Sequence, residues 1–161
     1  MASDSPAPLA VVDACVIIAL LGPEGDMTGS DTFDRAHGLF RDSAYRLVLP
    51  VLQKAELLAV AQRTPNLPVA ERRQRVAQIS ELVDSLGLIG LDMLVEDAAD
   101  AWQLWADYGV KYQDGLMVCA AARIGAKYLF TLDEKLVAAL RDFEGVHVSL
   151  PPSASTLPLG V

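Results

Sequence analysis

Between Tyr112 and Lys135 the chain reads YQDGLMVCAAARIGAKYLFTLDEK, and the only charged residues between Asp114 and Asp133 are Arg123 and Lys127. Leu116, Met117, Ala120, Ala121 and Ile124 recur along one helical face, which predicts a helix beginning near Asp114. Gly125 supplies its stop. Lys127 to Leu132 is an apolar run too short for a helix and long enough for a buried strand. A helix of roughly 12 residues climbs about 18 Å, and a strand of roughly 5–6 residues returns about 17–20 Å in the opposite sense. The chain therefore comes back to its starting level, and Asp114 and Asp133 belong to one edge of the domain. In an open α/β sheet that edge carries the active site.

The remaining segments repeat this grammar. Leu9 to Val12 reads as a strand covered on both faces and closed by Asp13, with Ala14 to Leu21 turning helical. Gly22 to Asp31 reads as a loop, and Phe33, His37 and Phe40 mark the next helix. Arg46 to Leu49 is a second strand, and Pro50 opens a helix that carries Glu56 in its second turn. Thr64 to Pro68 interrupts it. Val69, Val76, Ile79, Val83 and Leu86 then define another helix with Glu71, Arg72, Arg73 and Arg75 in its first turns, so that Val51 to Leu86 forms a helical arm.

Leu88 to Leu91 is a third strand and Asp92 the expected N-cap of a helix whose core side is Leu94, Ala98, Trp102 and Trp105, ended by Gly109. A helix from Glu134 to Phe143 and a strand from Val146 to Leu150 complete the pattern. Alternating strands and helices predict a three-layer α/β/α sandwich around a mainly parallel sheet. The domain spans 9–150, with 1–8 and 151–161 as tails.

A length of 161 residues, 52% hydrophobic, suits one buried core. The first residues lack the basic region of a secretory signal, and the apolar run from Leu9 to Leu21 is interrupted by Asp13 and falls short of the roughly 20 residues of a membrane span, so a cytoplasmic protein with no membrane contact is expected. Cys15 and Cys119 have no partner at metal-ligand spacing and read as buried reduced thiols. A formal charge of −8 opposes indiscriminate nucleic-acid binding.

Taken singly, each acid has an ordinary explanation. Asp13 ends a strand, Asp114 caps a helix, Glu56 lies on a solvated face and Asp133 sits in a turn. Taken together, Asp13, Glu56, Asp114 and Asp133 all fall on the C-terminal edge of the sheet. Four crowded carboxylates repel one another unless a divalent cation offsets them, and hard oxygen donors suit Mg²⁺ or Mn²⁺. Asp97, Asp100, Asp107, Glu81 and Asp84 read as solvated helix faces.

The segments VVDACVII around Asp13, PVLQKAELL around Glu56, YQDGLMVCAAA around Asp114 and YLFTLDEKL around Asp133 resemble the PIN-domain family, which includes the VapC-type toxin ribonucleases of toxin-antitoxin pairs. The resemblance spans nearly the whole chain. It implies that Asp13, Asp114 and Asp133 ligate Mg²⁺ or Mn²⁺ directly or through water, that Glu56 completes the site, and that Thr131 orients a ligand or water. It further implies endonucleolytic hydrolysis of RNA leaving 5′-phosphate and 3′-hydroxyl ends, in which neither His37 nor His147 takes part. Many relatives carry Ser or Thr after the first Asp, whereas this chain has Ala14.

The resemblance also implies a homodimer, and a small antitoxin packed against the helical arm with a segment inserted at the acidic edge. Lys54, Lys111, Arg123 and Lys135 are the expected phosphate contacts; Arg72, Arg73 and Arg75 suit either RNA or a partner's acidic segment. A haloacid-dehalogenase-type phosphotransferase needs a second Asp where this chain has Cys15, and a phosphate receiver needs a pair of acids beside the first strand. The competing reading is a PIN-like protein-interaction module without catalysis, from which metal binding and metal-dependent RNA cleavage distinguish an enzyme.

Overall fold

The computed structural model describes residues 6–21, 31–41, 44–60 and 66–153. Five strands, β1 (Leu9–Val12), β2 (Arg46–Pro50), β3 (Ile89–Leu91), β4 (Tyr128–Phe130) and β5 (His147–Ser149), form one sheet in the order β3-β2-β1-β4-β5. Every neighbouring pair is parallel, with Val11 opposite Val48 on one side and Leu129 on the other. The chain builds outward from β1 to β2 and β3, then crosses to the other side for β4 and β5. The β1/β4 boundary is thus the switch point at which such sheets open a crevice beyond their C-terminal ends.

Among the described residues seven helices cover the sheet: α1 (Ala14–Leu21), α2 (Asp31–Arg41), α3 (Val51–Val60), α4 (Val69–Ser85), α5 (Val95–Tyr108), α6 (Tyr112–Arg123) and α7 (Glu134–Ala139). The strands are apolar on both faces, and the two faces feed different cores. Val11, Val48 and Leu129 join Ala101, Leu104, Met117 and Leu136 on one side. Ala10, Val12, Leu49 and Phe130 join Val16, Ile17, Leu39, Leu57 and Ile79 on the other. The result is the three-layer α/β/α sandwich with a parallel sheet. Gly109 and Gly125, at φ 69° and 66°, close α5 and α6 in the left-handed region where other residues are strained. Gly115 lets α5 approach, since a Cβ there would lie 3.2 Å from that of Ala101.

The structure differs from the sequence reading in several places. Helix α5 begins at Val95 with Leu94 as its N-cap, not Asp92; Asp97 reaches back to accept the Leu94 amide at 2.8 Å. Its buried side is Asp97, Ala101 and Leu104, whereas Leu94, Trp102 and Trp105 are exposed, the two indoles by 64% and 58%. Asp97 is not solvated. It is buried and paired with Arg123 Nε at 2.8 Å, and Arg123 also donates to the Asp92 carbonyl. That pairing commits the Arg123 guanidinium to Asp97 and the Asp92 carbonyl.

Helix α2 starts at Asp31 and buries Ala36 and Leu39; His37 is exposed and stacks on Phe33. Val69 and Val76 of α4 are exposed while Ile79 and Val83 are buried, so only part of the arm's apolar stripe is core. The expected break from Thr64 falls partly, and the loop from Gly22 almost wholly, outside the described residues.

Candidate functional site

Asp13 follows β1 directly, and its amide continues the sheet by donating to the Phe130 carbonyl at 3.0 Å. This places its side chain at the mouth of the β1/β4 crevice, buried to 9% exposure. From the β4 side Thr131, fully buried, donates its hydroxyl to Asp13 Oδ2 at 2.7 Å and accepts the Asp133 amide at 3.0 Å. Asp133 is the N-cap of α7, accepting the Lys135 and Leu136 amides at 2.9 and 3.2 Å through Oδ1. Its second carboxylate oxygen is left out of the cap.

Asp114 lies in the first turn of α6, which starts at Tyr112 and not at the acid itself; Lys111 is the N-cap, without a side-chain capping bond. Asp114 therefore has no capping role to account for it. Burial pushes its carboxyl above the ordinary range, the charges of Asp13 and Asp133 push it further, Lys111 opposes them and Glu56 adds a last increment. Each of the other three acids is thus felt by Asp114. Glu56 is exposed on α3, one turn beyond Gln53, which is buried and accepts the Ala14 amide at 2.8 Å.

Two participants were not assigned a role from sequence. Gln53 ties α3 to the start of α1. Cys15 is a free thiol, as expected, but it is only partly buried and it faces the site: its Sγ lies 3.1 Å from Asp13 Oδ2 and 3.5 Å from Thr131 Oγ1, and accepts the Leu132 amide at 3.2 Å. Burial, reinforced by Asp13's charge, pushes this thiol up to about 12, so it remains protonated and a poor nucleophile at neutral pH. The signal was available in part, because a polar atom two residues after a strand-ending Asp is placed to face it. Cys119, by contrast, packs in the core.

Among the described residues no three Asp, Glu, His or Cys side chains converge closely enough to hold a metal ion as they stand. None of the four acids forms an ion pair among those residues either. The donor set nevertheless fits a hard divalent cation. It is all carboxylate, it is anchored on four different elements, and Asp114 feels a like-charge repulsion from Asp13 and Asp133 that Lys111 opposes without cancelling. Both histidines stand apart, His37 on α2 and His147 on β5 against the Tyr128 ring. Lys54, Lys111 and Lys135 are exposed.

The fold has counterparts among solved structures. A toxin-antitoxin complex from Klebsiella pneumoniae superimposes with a TM-score of 0.61 at 14% identity, over 89% of this chain and 98% of that one. FitAcB from Neisseria gonorrhoeae gives 0.62 at 16%, over 89% and 98%. Mycobacterium tuberculosis VapC20, a Sarcin-Ricin loop cleaving toxin, gives 0.60 at 14%, over 81% and 94%. At this identity the likeness is one of fold. Among curated proteins none matches the chain by sequence. The PIN domain profile matches residues 10–141, a span that takes in all four acids and Thr131, and on that match the chain belongs to the PIN domain family.

Proposed function

We propose that this chain is a Mg²⁺- or Mn²⁺-dependent endoribonuclease and the toxin of a type II toxin-antitoxin pair. The observation that carries the reading is the meeting of Asp13 and Asp133 on the Thr131 hydroxyl at the C-terminal edge of the sheet, with Asp114 close enough for burial and then the charges of Asp13 and Asp133 to raise its carboxyl. An edge that gathers acids whose charges only Lys111 partly offsets is suited to receive a cation. Asp13, Asp114 and Asp133 would hold the ion and Glu56 would complete the site. Bound there, the ion would lower the pKa of water for attack at phosphorus and offset charge on the leaving oxygen. Thr131 keeps Asp13 oriented, the N-cap bonds keep Asp133 oriented, and the exposed Lys111 beside Asp114 offers a contact for phosphate.

The Klebsiella structure is a toxin-antitoxin complex, and VapC20 is a Sarcin-Ricin loop cleaving toxin. By analogy, an antitoxin covers the exposed Val69 and Val76 of α4, and the exposed indoles of α5 pair two copies of the chain. The decisive experiment is RNA cleavage by metal-free and Mn²⁺-supplemented protein on structured and unstructured RNAs, beside Asp114→Asn. Cleavage that needs the metal and is lost in the variant supports the assignment. Metal-independent cleavage, or cleavage unchanged in the variant, overturns it, and absence of cleavage in the presence of Mn²⁺ favours the silent interaction module.

A further inference from the structure

Counting protons around Asp13 separates its two carboxylate oxygens. Thr131 has one hydroxyl proton, and at 2.7 Å it goes to Oδ2. The Thr131 oxygen in turn accepts the Asp133 amide, so the hydroxyl is used in both directions. Cys15 also has one proton. Its two acceptors within reach are Asp13 Oδ2 at 3.1 Å and Thr131 Oγ1 at 3.5 Å, and the nearer, ionised carboxylate is the stronger acceptor. The sulfur's acceptor side is taken by the Leu132 amide at 3.2 Å. Oδ2 therefore holds two donors, one from each side of the β1/β4 crevice. Among the described residues Oδ1 has only the long 3.4 Å contact from the Cys15 amide, because the Ala14 amide is directed to Gln53.

From this arrangement we infer that Cys15 is a positioning residue: with Thr131 it pins Asp13 by Oδ2, so that Oδ1 would be the oxygen left for the divalent cation. The inference rests on the metal-dependent reading above. A thiol is a weaker donor than a hydroxyl, yet its larger radius lets one atom touch Asp13, Thr131 and the Leu132 amide together. A side chain that fastens a ligand in this way changes ion affinity without touching the ion, and such outer partners contribute about 10–100-fold. Removing the thiol frees the carboxylate to turn, while the strand pairing that holds the backbone of Asp13 is left in place.

The test is calorimetric titration of Mn²⁺ into the intact chain and into Cys15→Ala, Cys15→Val, Cys15→Ser and Asp114→Asn, with thermal melts of each metal-free protein. Cys15→Ala and Cys15→Val should bind Mn²⁺ about tenfold more weakly, and Cys15→Ser should recover most of the loss. The near-isosteric Val variant keeps the test valid should the Ala variant unfold. Wild-type affinity in both apolar variants, or a Ser variant as weak as they are, overturns the positioning role while leaving the metal site intact. A wild-type protein that binds no Mn²⁺, or binds it as well with Asp114→Asn, overturns the metal-site reading and this inference with it.

Discussion

The hydroxyl of Thr131 bonds the carboxylate of Asp13 at 2.7 Å across 118 positions of sequence, joining the ends of β4 and β1 at the point where the sheet changes direction. This bond is buried, and it couples two acids, because the same Thr131 oxygen receives the Asp133 amide. Thr131→Val should therefore lower the stability of the metal-free protein by about 1–3 kcal/mol, the cost of leaving a buried acceptor short of a donor. It should also weaken Mn²⁺ binding by about 10–100-fold. Thr131→Ser should restore binding. Melting curves and Mn²⁺ titration measure the two effects separately.

Asp114 predicts the opposite trade. Its folded carboxyl titrates above the ordinary value, owing first to burial and then to Asp13 and Asp133. The sign follows: its contribution to stability is complete below the unfolded pKa of about 3.9 and is lost as pH rises through the raised folded value. Asp114→Asn should make the metal-free protein more stable at neutral pH, with the advantage shrinking toward pH 4. Saturating Mn²⁺ should stabilise the wild type and not the variant, whose cleavage falls on the order of 100-fold or more. Melts at several pH values with chelator and with Mn²⁺ check each part.

Asp97 and Arg123 form a structural pair away from the acidic edge. Burial alone would raise Asp97, but hydrogen bonds from Arg123 and the Leu94 amide, together with Arg123's charge, outweigh it and bring the carboxyl below its usual range. The stability from this group is thus present above about pH 3.9 and lost as pH falls through its depressed folded value. Asp97→Ala should cost about 1.5–3 kcal/mol, or about 2–4 °C of melting temperature per kcal/mol, and should move acid unfolding to higher pH. Mn²⁺ affinity should not change.

The exposed indoles give a prediction about assembly. Trp102 and Trp105 are 64% and 58% exposed on α5, beside Val95 at 85%. If these side chains pair two copies, Trp102→Ser with Trp105→Ser should yield a monomer in light scattering behind size exclusion. Each substitution should alter monomer stability by no more than about 0.5 kcal/mol, as expected for surface positions. A dimer that persists in the double variant would locate the contact elsewhere.

The edge was legible because its logic is local. Strand lengths and helix lengths can be counted, and in a parallel sheet they bring Asp13, Asp114 and Asp133 to the same level whatever the details. The phase of α5 was not legible. Two Trp residues outweigh Ala101 and Leu104 in hydrophobic mass, yet Gly115 leaves room for α6 to approach only the small side chain of Ala101. Close packing chose the smaller residues and left the larger ones in solvent. Asp97 looked like one more surface acid because its partner, Arg123, comes from a different helix. Cys15 escaped notice for a similar reason, since it meets Thr131 and Leu132 only after β1 and β4 have paired.

The central position of β1 has a consequence for how the protein is made. Of the five strands of the sheet this one is made before the others, with β2 soon after on one flank, but its other neighbour begins at Tyr128. Until then Asp13 has neither the Phe130 carbonyl for its amide nor the Thr131 hydroxyl for its side chain. A nascent chain halted before β4 therefore lacks the surroundings of Asp13 described above, and the acidic edge is assembled only once β4 has been made.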